Sequence, residues 1–215
     1  MLSGEIEHSD SLGNEGVIGP GDVQWMTAGS GIIHQEMPQR VGSRLRGFQL
    51  WTNLPAASKM TDPLYREVPA DSIPEVSPHD GLKIRIIAGE VVGVRGPVQD
   101  VIVEPEYFDI TLEPGADLEH PTPSGHTVFA YAINGRGQVG PNGTHTLARG
   151  QLALFTEGDS LLVRASDVPF RFLLVSGKPL GEPVAWSGPI VMNTREELAA
   201  AFREYQDGTF IKAKP

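Results

Sequence analysis

Gly19-Pro20-Gly21-Asp22-Val23-Gln24-Trp25-Met26-Thr27-Ala28-Gly29-Ser30-Gly31-Ile32-Ile33-His34-Gln35-Glu36-Met37-Pro38 is the stretch on which the fold turns. Pro20-Gly21-Asp22 has turn chemistry: proline presets φ, glycine reaches positive φ, and aspartate bonds to its own backbone. Val23–Thr27 reads as a strand, Gly29-Ser30-Gly31 as a second turn, and Ile32–Glu36 as a second strand. The pattern is strand, turn, strand, with no helical period.

Working outward, the same alternation recurs. Glu5–His8 reads as a first strand, and residues 46–54 as another, stopped by Pro55. Residues 55–80 are rich in Pro, Ser and Asp and are expected to be a long connection. Strands are expected over 82–94, 107–112, 127–133, 151–156, 160–165 and 170–176. One helix is expected, at the C-terminus. Thr194 caps it, Glu197 completes a capping box, and Leu198, Ala201, Phe202 and Tyr205 form its apolar stripe.

The stretch also repeats. Gly21–Gly29 laid over Gly150–Gly158, an offset of 129, matches both glycines, Thr27 with Thr156, and the apolar positions. Such a repeat signals duplicated units, so the chain is expected to be all-β, with two similar barrels. The expected division is 1–112 and 113–215. His34 falls on Val163 and Glu36 on Ala165. Chemistry at His34 and Glu36 would therefore be confined to the first copy, and the second barrel is expected to bind no metal. Copy two has a full strand, Thr127–Ile133, before the point that matches Ser3-Gly4. Copy one is therefore expected to lack its opening strand.

Composition narrows the function. The chain has 215 residues, a formal net charge of −10 and no cysteine. A nucleic-acid partner would require a basic footprint, which is missing. No apolar run reaches membrane-spanning length, and MLSGEIEHSD is too acidic for a signal peptide, so a cytoplasmic location is expected. Without thiolates, a metal would be held by His, Asp or Glu, which favours iron or manganese over structural zinc.

His34-Gln35-Glu36 is the sharpest chemical feature. Residues two apart on a strand share a face, so imidazole and carboxylate should project together, inward if Gln35 faces out. They make half of a two-His-one-carboxylate or three-His-one-carboxylate iron site. His8 reads first as a solvated strand residue near the mouth of the same barrel. Trp25, Met26 and Trp51 read first as core; Trp25 and Met26 are also candidates to line a pocket for a flat aromatic ligand. His120 and His126 are expected in a loop, and His79 and His145 in exposed loops.

The stretch Gly19–Pro38, with Gly47–Leu54, Ala88-Gly89-Glu90 and Gly188–Thr194, strongly resembles the pirin family. The resemblance implies a fold of two cupin-type (jelly-roll) barrels. It implies one Fe2+, or another divalent metal such as Mn, Ni, Co, Cu or Zn, in the N-terminal cupin. The implied ligands are two histidines of a His-Pro-His-Arg-Gly segment plus His34 and Glu36. The implied roles are quercetinase-like dioxygenase activity on a small aromatic substrate, and, in eukaryotic members, metal-dependent binding of a protein partner. Glu36 would be a ligand or the general base that takes the phenol proton. No His-Pro-His-Arg-Gly occurs in this sequence. The expectation is a chain that lacks that N-terminal segment, holds iron weakly and has a less stable first barrel. If it does hold iron, His8 is the residue expected to complete the site.

Overall fold

The structure is a computed structural model and describes residues 1–39, 44–99 and 101–213. It forms two compact units, Met1–Ala70 with Leu180–Pro215, and Asp71–Pro179. Both are built from strands.

In the first unit β1 (Ile6–Asp10) lies between β2 (Glu15–Ile18) and β4 (His34–Pro38), while β3 (Val23–Thr27) pairs with β5 (Leu64–Val68). The turn at Pro20–Asp22 is stitched by the Asp22 carboxylate, which accepts from Gly19 N at 2.7 Å and Ala70 N at 2.8 Å. At Gly29, with φ +51, an added Cβ would strike the Thr61 carbonyl. Only glycine lets the second turn approach that backbone so closely.

The second unit has a six-stranded and a four-stranded sheet. β6 (Glu75–Val76), β7 (Leu82–Ala88), β10 (Glu106–Leu112), β12 (Thr127–Asn134), β15 (Leu152–Leu154) and β17 (Phe170–Gly177) make the first; β8 (Glu90–Val91) and β9 (Val94–Arg95) form a separate hairpin. β11 (Asp117–Pro121), β13 (Arg136–Val139), β14 (His145–Ala148) and β16 (Ser160–Ala165) make the second. In β16, Leu161, Val163 and Ala165 are buried while Ser160, Leu162 and Arg164 are exposed, the period of two expected of a half-buried strand. These residues meet Leu82, Ile84, Ile86, Phe108, Ile110, Leu112, Phe170, Phe172 and Leu174 in one core. On the other face of the larger sheet Arg171 donates to both oxygens of Asp109, at 2.9 and 2.6 Å, a planar two-point pair.

The chain then returns to the first unit as the hairpin β18 (Ala185–Ser187) and β19 (Ile190–Met192) and the helix α1 (Arg195–Gln206). The expected capping box is present: Thr194 Oγ1 accepts from Glu197 N at 3.2 Å, and Glu197 accepts from Thr194 N at 2.9 Å. Among the described residues no helix is long and apolar enough to cross a membrane.

The architecture of two cupin-type barrels and a C-terminal helix is as expected, but several details differ. Residues 82–88 and 106–112 pair within one sheet that also holds 170–177, and the last 36 residues pack with the first unit. Residues 46–54 form no strand; among the described residues Arg46 makes an isolated bridge with Ser3. The 55–80 connection contains β5 and β6. Its Leu64–Val68 is a strand because it has β3 to pair with. The short strands at 117–121, 136–139, 145–148, 185–187 and 190–192 were not foreseen.

Phe172 is fully buried and stacks on Phe170 with ring centroids 4.9 Å apart. Phe172→Ala should destabilise the second unit by about 3–5 kcal/mol, read as a lower midpoint in denaturant unfolding. Phe172→Leu should lose clearly less. Equal losses would show that the ring stack, and not the filled volume, carries the stabilisation.

Candidate metal centre

The site is built by register. β1 pairs antiparallel with β4 so that His8 lies opposite Glu36 and Asp10 opposite His34. Cross-strand partners and residues two apart share a face. His8, Asp10, His34 and Glu36 therefore all project from one face of the sheet. Donor atoms of His8, His34 and Glu36 lie within 4.8 Å of one another. The expected closeness of His34 and Glu36 is present.

Their surroundings differ from expectation. His34 is exposed and Glu36 only partly covered, so the cluster opens to solvent and is not shielded inside a barrel. Their counterparts Val163 and Ala165 are buried core residues of the second unit. His8 is not a solvated strand residue: its side chain is completely buried. Tyr65 covers it, with rings parallel within 4° and centroids 4.9 Å apart, and His34 meets its edge at 5.9 Å.

Tyr65 is brought there by β5, where it pairs with Met26 of β3. Met26 therefore shares Tyr65's face, while Trp25, opposite Arg66, is on the other. Both are half-buried and neither belongs to the core. Burial raises the Tyr65 hydroxyl pKa, a bond with Gln24 opposes this, and the Glu67 and Asp10 carboxylates add to the rise. A cleft of about 560 Å3 opens beside the site, lined by Leu12, Asn14, Asp62, Leu64 and Tyr65 among others. The expected pocket residues Trp25 and Met26 are not part of its lining.

Asp10 anchors the turn behind His8. Its carboxylate accepts from Leu12 N at 2.8 Å, from Asn14 N at 3.1 Å and from Asn14 Nδ2 at 3.0 and 3.2 Å. Burial pushes its carboxyl pKa up, but these bonds and the one from His8 outweigh it, leaving the group below its ordinary value.

The donors fit a divalent cation. Two imidazoles and a carboxylate are the donor set of the facial triad that holds non-haem iron. His8 Nδ1 is buried and has no hydrogen-bond partner among the described residues. A buried lone pair without a partner costs free energy, and a cation would relieve it. Sequence reasoning placed His8 on the first strand, read it first as solvated, and named it as the residue that would complete a site with His34 and Glu36, but gave it no fixed position. The missing information was the β1–β4 register, which brings residues 8 and 36 together across 28 positions of sequence.

A second polar cluster sits in the other unit. Glu106 shares a face of β10 with the core residues Phe108 and Ile110, and Ser176 lies opposite it on β17. Ser176 Oγ donates to Glu106 Oε2 at 2.6 Å, and His120 Nε2 lies 3.3 Å from the same oxygen. His120 is thus a buried strand residue packed edge-on against Phe108, where a loop was expected. His126 does lie in the connection just before β12. His79 and His145 are exposed, although His145 opens a strand.

The Pirin family model matches residues 1–52, and the model of the pirin C-terminal cupin domain matches 107–211. A pirin-like protein of Caulobacter vibrioides is 42% identical over 98% of this chain and 75% of its own length. The crystal structure of quercetin 2,3-dioxygenase from Acinetobacter baumannii is similar at a TM-score of 0.87 and 34% identity, covering 97% of this chain and 73% of that one. The crystal structure of bacterial pirin YhhW from Escherichia coli in complex with nickel(II) has a TM-score of 0.56 at 18% identity, a likeness of fold, over 83% of this chain and 70% of that one.

The Glu106 cluster yields a pH dependence. Burial pushes the Glu106 carboxyl pKa up, but bonds from His120 and Ser176 and the charges of His120 and His126 hold it below its ordinary value of 4.5. For a carboxylate with a depressed folded pKa, stability is complete above the unfolded value and is lost as pH falls through the folded one. Unfolding of wild type and Glu106→Gln, compared from neutral pH down to pH ~3, should show a steeper acid loss in wild type. Parallel acid limbs would remove Glu106 from that role.

Proposed function

Because the chain belongs to the pirin family, we propose that it is a metal-dependent cupin dioxygenase acting on a flavonol-type phenol, with His8, His34 and Glu36 as the metal ligands. The observation that carries this reading is the gathering of those three donors within 4.8 Å on one sheet face. The similarity to a solved quercetin 2,3-dioxygenase supports the substrate class. Fe2+ is the cofactor this donor set suits, as harder ions favour imidazole and carboxylate over thiolate.

The bound ion would act as a Lewis acid that polarises a phenolic oxygen and brings it together with O2, the oxidant. The chain's own residues account for the rest. His8, clamped by Tyr65, provides the rigid donor. His34 and Glu36, at the solvent side, can adjust. Glu36, only partly covered, would also be the base that takes the phenol proton as substrate arrives. The neighbouring cleft of about 560 Å3 lies within the usual range for small-molecule sites, roughly 300–1,000 Å3. Its mixed lining, Leu12 and Leu64 with Asn14 and Asp62, suits a flat ring system bearing hydroxyls.

The test is metal content and turnover together. Protein reconstituted with Fe2+ and desalted should retain about one equivalent per chain, and should consume O2 when given quercetin. His34→Ala and Glu36→Ala should each lose metal and turnover while the metal-free proteins keep the wild-type thermal midpoint, since neither side chain is in the core. Wild-type metal content in both variants would overturn the ligand assignment. Full metal with no oxidation of any flavonol would overturn the substrate class.

A further inference from the structure

We propose that Asp10 is a positioning residue for the metal centre: its buried carboxylate keeps the His8 proton on Nε2, so that Nδ1 is the electron pair offered to a cation. The inference rests on the reading of His8 as a ligand, and it adds the group that makes His8 competent.

The argument begins with hydrogen-bond sense. Both the His8 and Asp10 side chains are fully buried, and His8 Nε2 lies 3.5 Å from Asp10 Oδ2. Every other partner of that carboxylate is an N–H donor: Leu12 N, Asn14 N and Asn14 Nδ2. Such a shell requires acceptors on Asp10, so the carboxylate presents an acceptor to His8 as well. A neutral imidazole carries one N–H and one bare nitrogen. With the N–H at Nε2, the proton faces Asp10 and the lone pair is at Nδ1.

The opposite tautomer fails twice. It would set the Nε2 lone pair against the Asp10 carboxylate. It would also bury an N–H at Nδ1, where no partner exists among the described residues. Each fault leaves a desolvated polar atom unsatisfied. The ring cannot swivel to escape, because Tyr65 lies flat on it at 4.9 Å and His34 abuts its edge. The Asp10 carboxylate is itself immobile. It is held by the β1–β2 turn, where Asp10 N also donates to Asn14 O at 3.0 Å and Gly13 N to Asp10 O at 3.1 Å. The turn thus transmits its rigidity through one carboxylate to one ring nitrogen. A carboxylate behind a metal-binding histidine is a general device for fixing tautomer and ring orientation.

The experiment has two arms. In the first, nitrogen-15 spectra of histidine-labelled, metal-free wild type at mildly alkaline pH report which His8 nitrogen carries hydrogen. Nε2–H is expected, and Nδ1–H would overturn the proposal. In the second, Ni2+ is titrated into wild type, Asp10→Asn and His8→Ala. Asparagine keeps an oxygen for the turn but can present an N–H to His8 Nε2, which reverses the tautomer. Asp10→Asn should therefore show the reversed nitrogen pattern and a loss of Ni2+ affinity of about 10–100-fold, with a lowered thermal midpoint, because its amide also meets the Asn14 Nδ2 donor. Wild-type affinity in Asp10→Asn together with a loss in His8→Ala would overturn the role of Asp10 alone. Wild-type affinity in His8→Ala would overturn His8 as a ligand, and this proposal with it. If Asp10→Asn does not fold, the wild-type spectrum still decides.

Discussion

The antiparallel pairing of β1 with β4 is the constraint on which the first unit's chemistry depends. Its register puts His8 opposite Glu36 and Asp10 opposite His34. A slip of one residue would turn His8 and Asp10 to the other face. Tyr65 would then lose the ring it covers, and the cluster would fall apart. The register is fixed on both sides of the pairing. On one side the β1–β2 turn closes around the Asp10 carboxylate. On the other, Gln39 N donates to Glu5 O at 2.9 Å and Gln39 Nε2 to Glu7 Oε2 at 2.7 Å. Binding chemistry and strand alignment are therefore coupled through the same few residues.

The two units use polar groups differently. In the first, the donors sit at an open sheet face, where His34 meets water and His8 does not. In the second, Glu106, His120 and Ser176 occupy an otherwise apolar interior and largely satisfy one another. Where His34 and Glu36 have their sequence counterparts, the second unit has Val163 and Ala165, both packed in its core. The six-stranded sheet and its closely packed Phe108, Phe170 and Phe172 give the second unit a core that the first unit's short sheets do not match.

Much of this was legible in the sequence, for identifiable reasons. Val23–Thr27, Ser160–Ala165 and the capping box at Thr194 were found because alternation and capping are local signals. The His34–Glu36 pair was found because a spacing of two fixes a shared face. The burial of His8 was missed, and its place opposite Glu36 was not fixed, because both depend on a long-range pairing that no local pattern encodes. His120 was misread for a related reason: two prolines and a glycine nearby signal a turn, yet β11 continues through Pro121 as an edge strand beside β16. Residues 46–54 carried a convincing β composition but make an isolated bridge, Arg46 with Ser3, and no strand. Composition can nominate a strand, and only a partner makes one.

The path of the chain through the first unit bears on the order in which the protein can be made. Glu182 accepts from Ala56 N at 2.7 Å and from Asn193 Nδ2 at 3.0 Å, tying the returning segment to the residues before β5. Phe210 packs against Gly31, three residues before His34, so closely that a Cβ there would strike its ring and carbonyl. These contacts join residues that leave the ribosome far apart in time. The second unit, continuous from Asp71 to Pro179, has all its strands available before the contacts of Glu182 and Phe210 can form. Synthesis from the N-terminus thus delivers the later-numbered unit first as a complete folding unit. The donors on β1 and β4 are made before the second unit, yet residues that complete their surroundings are made after it.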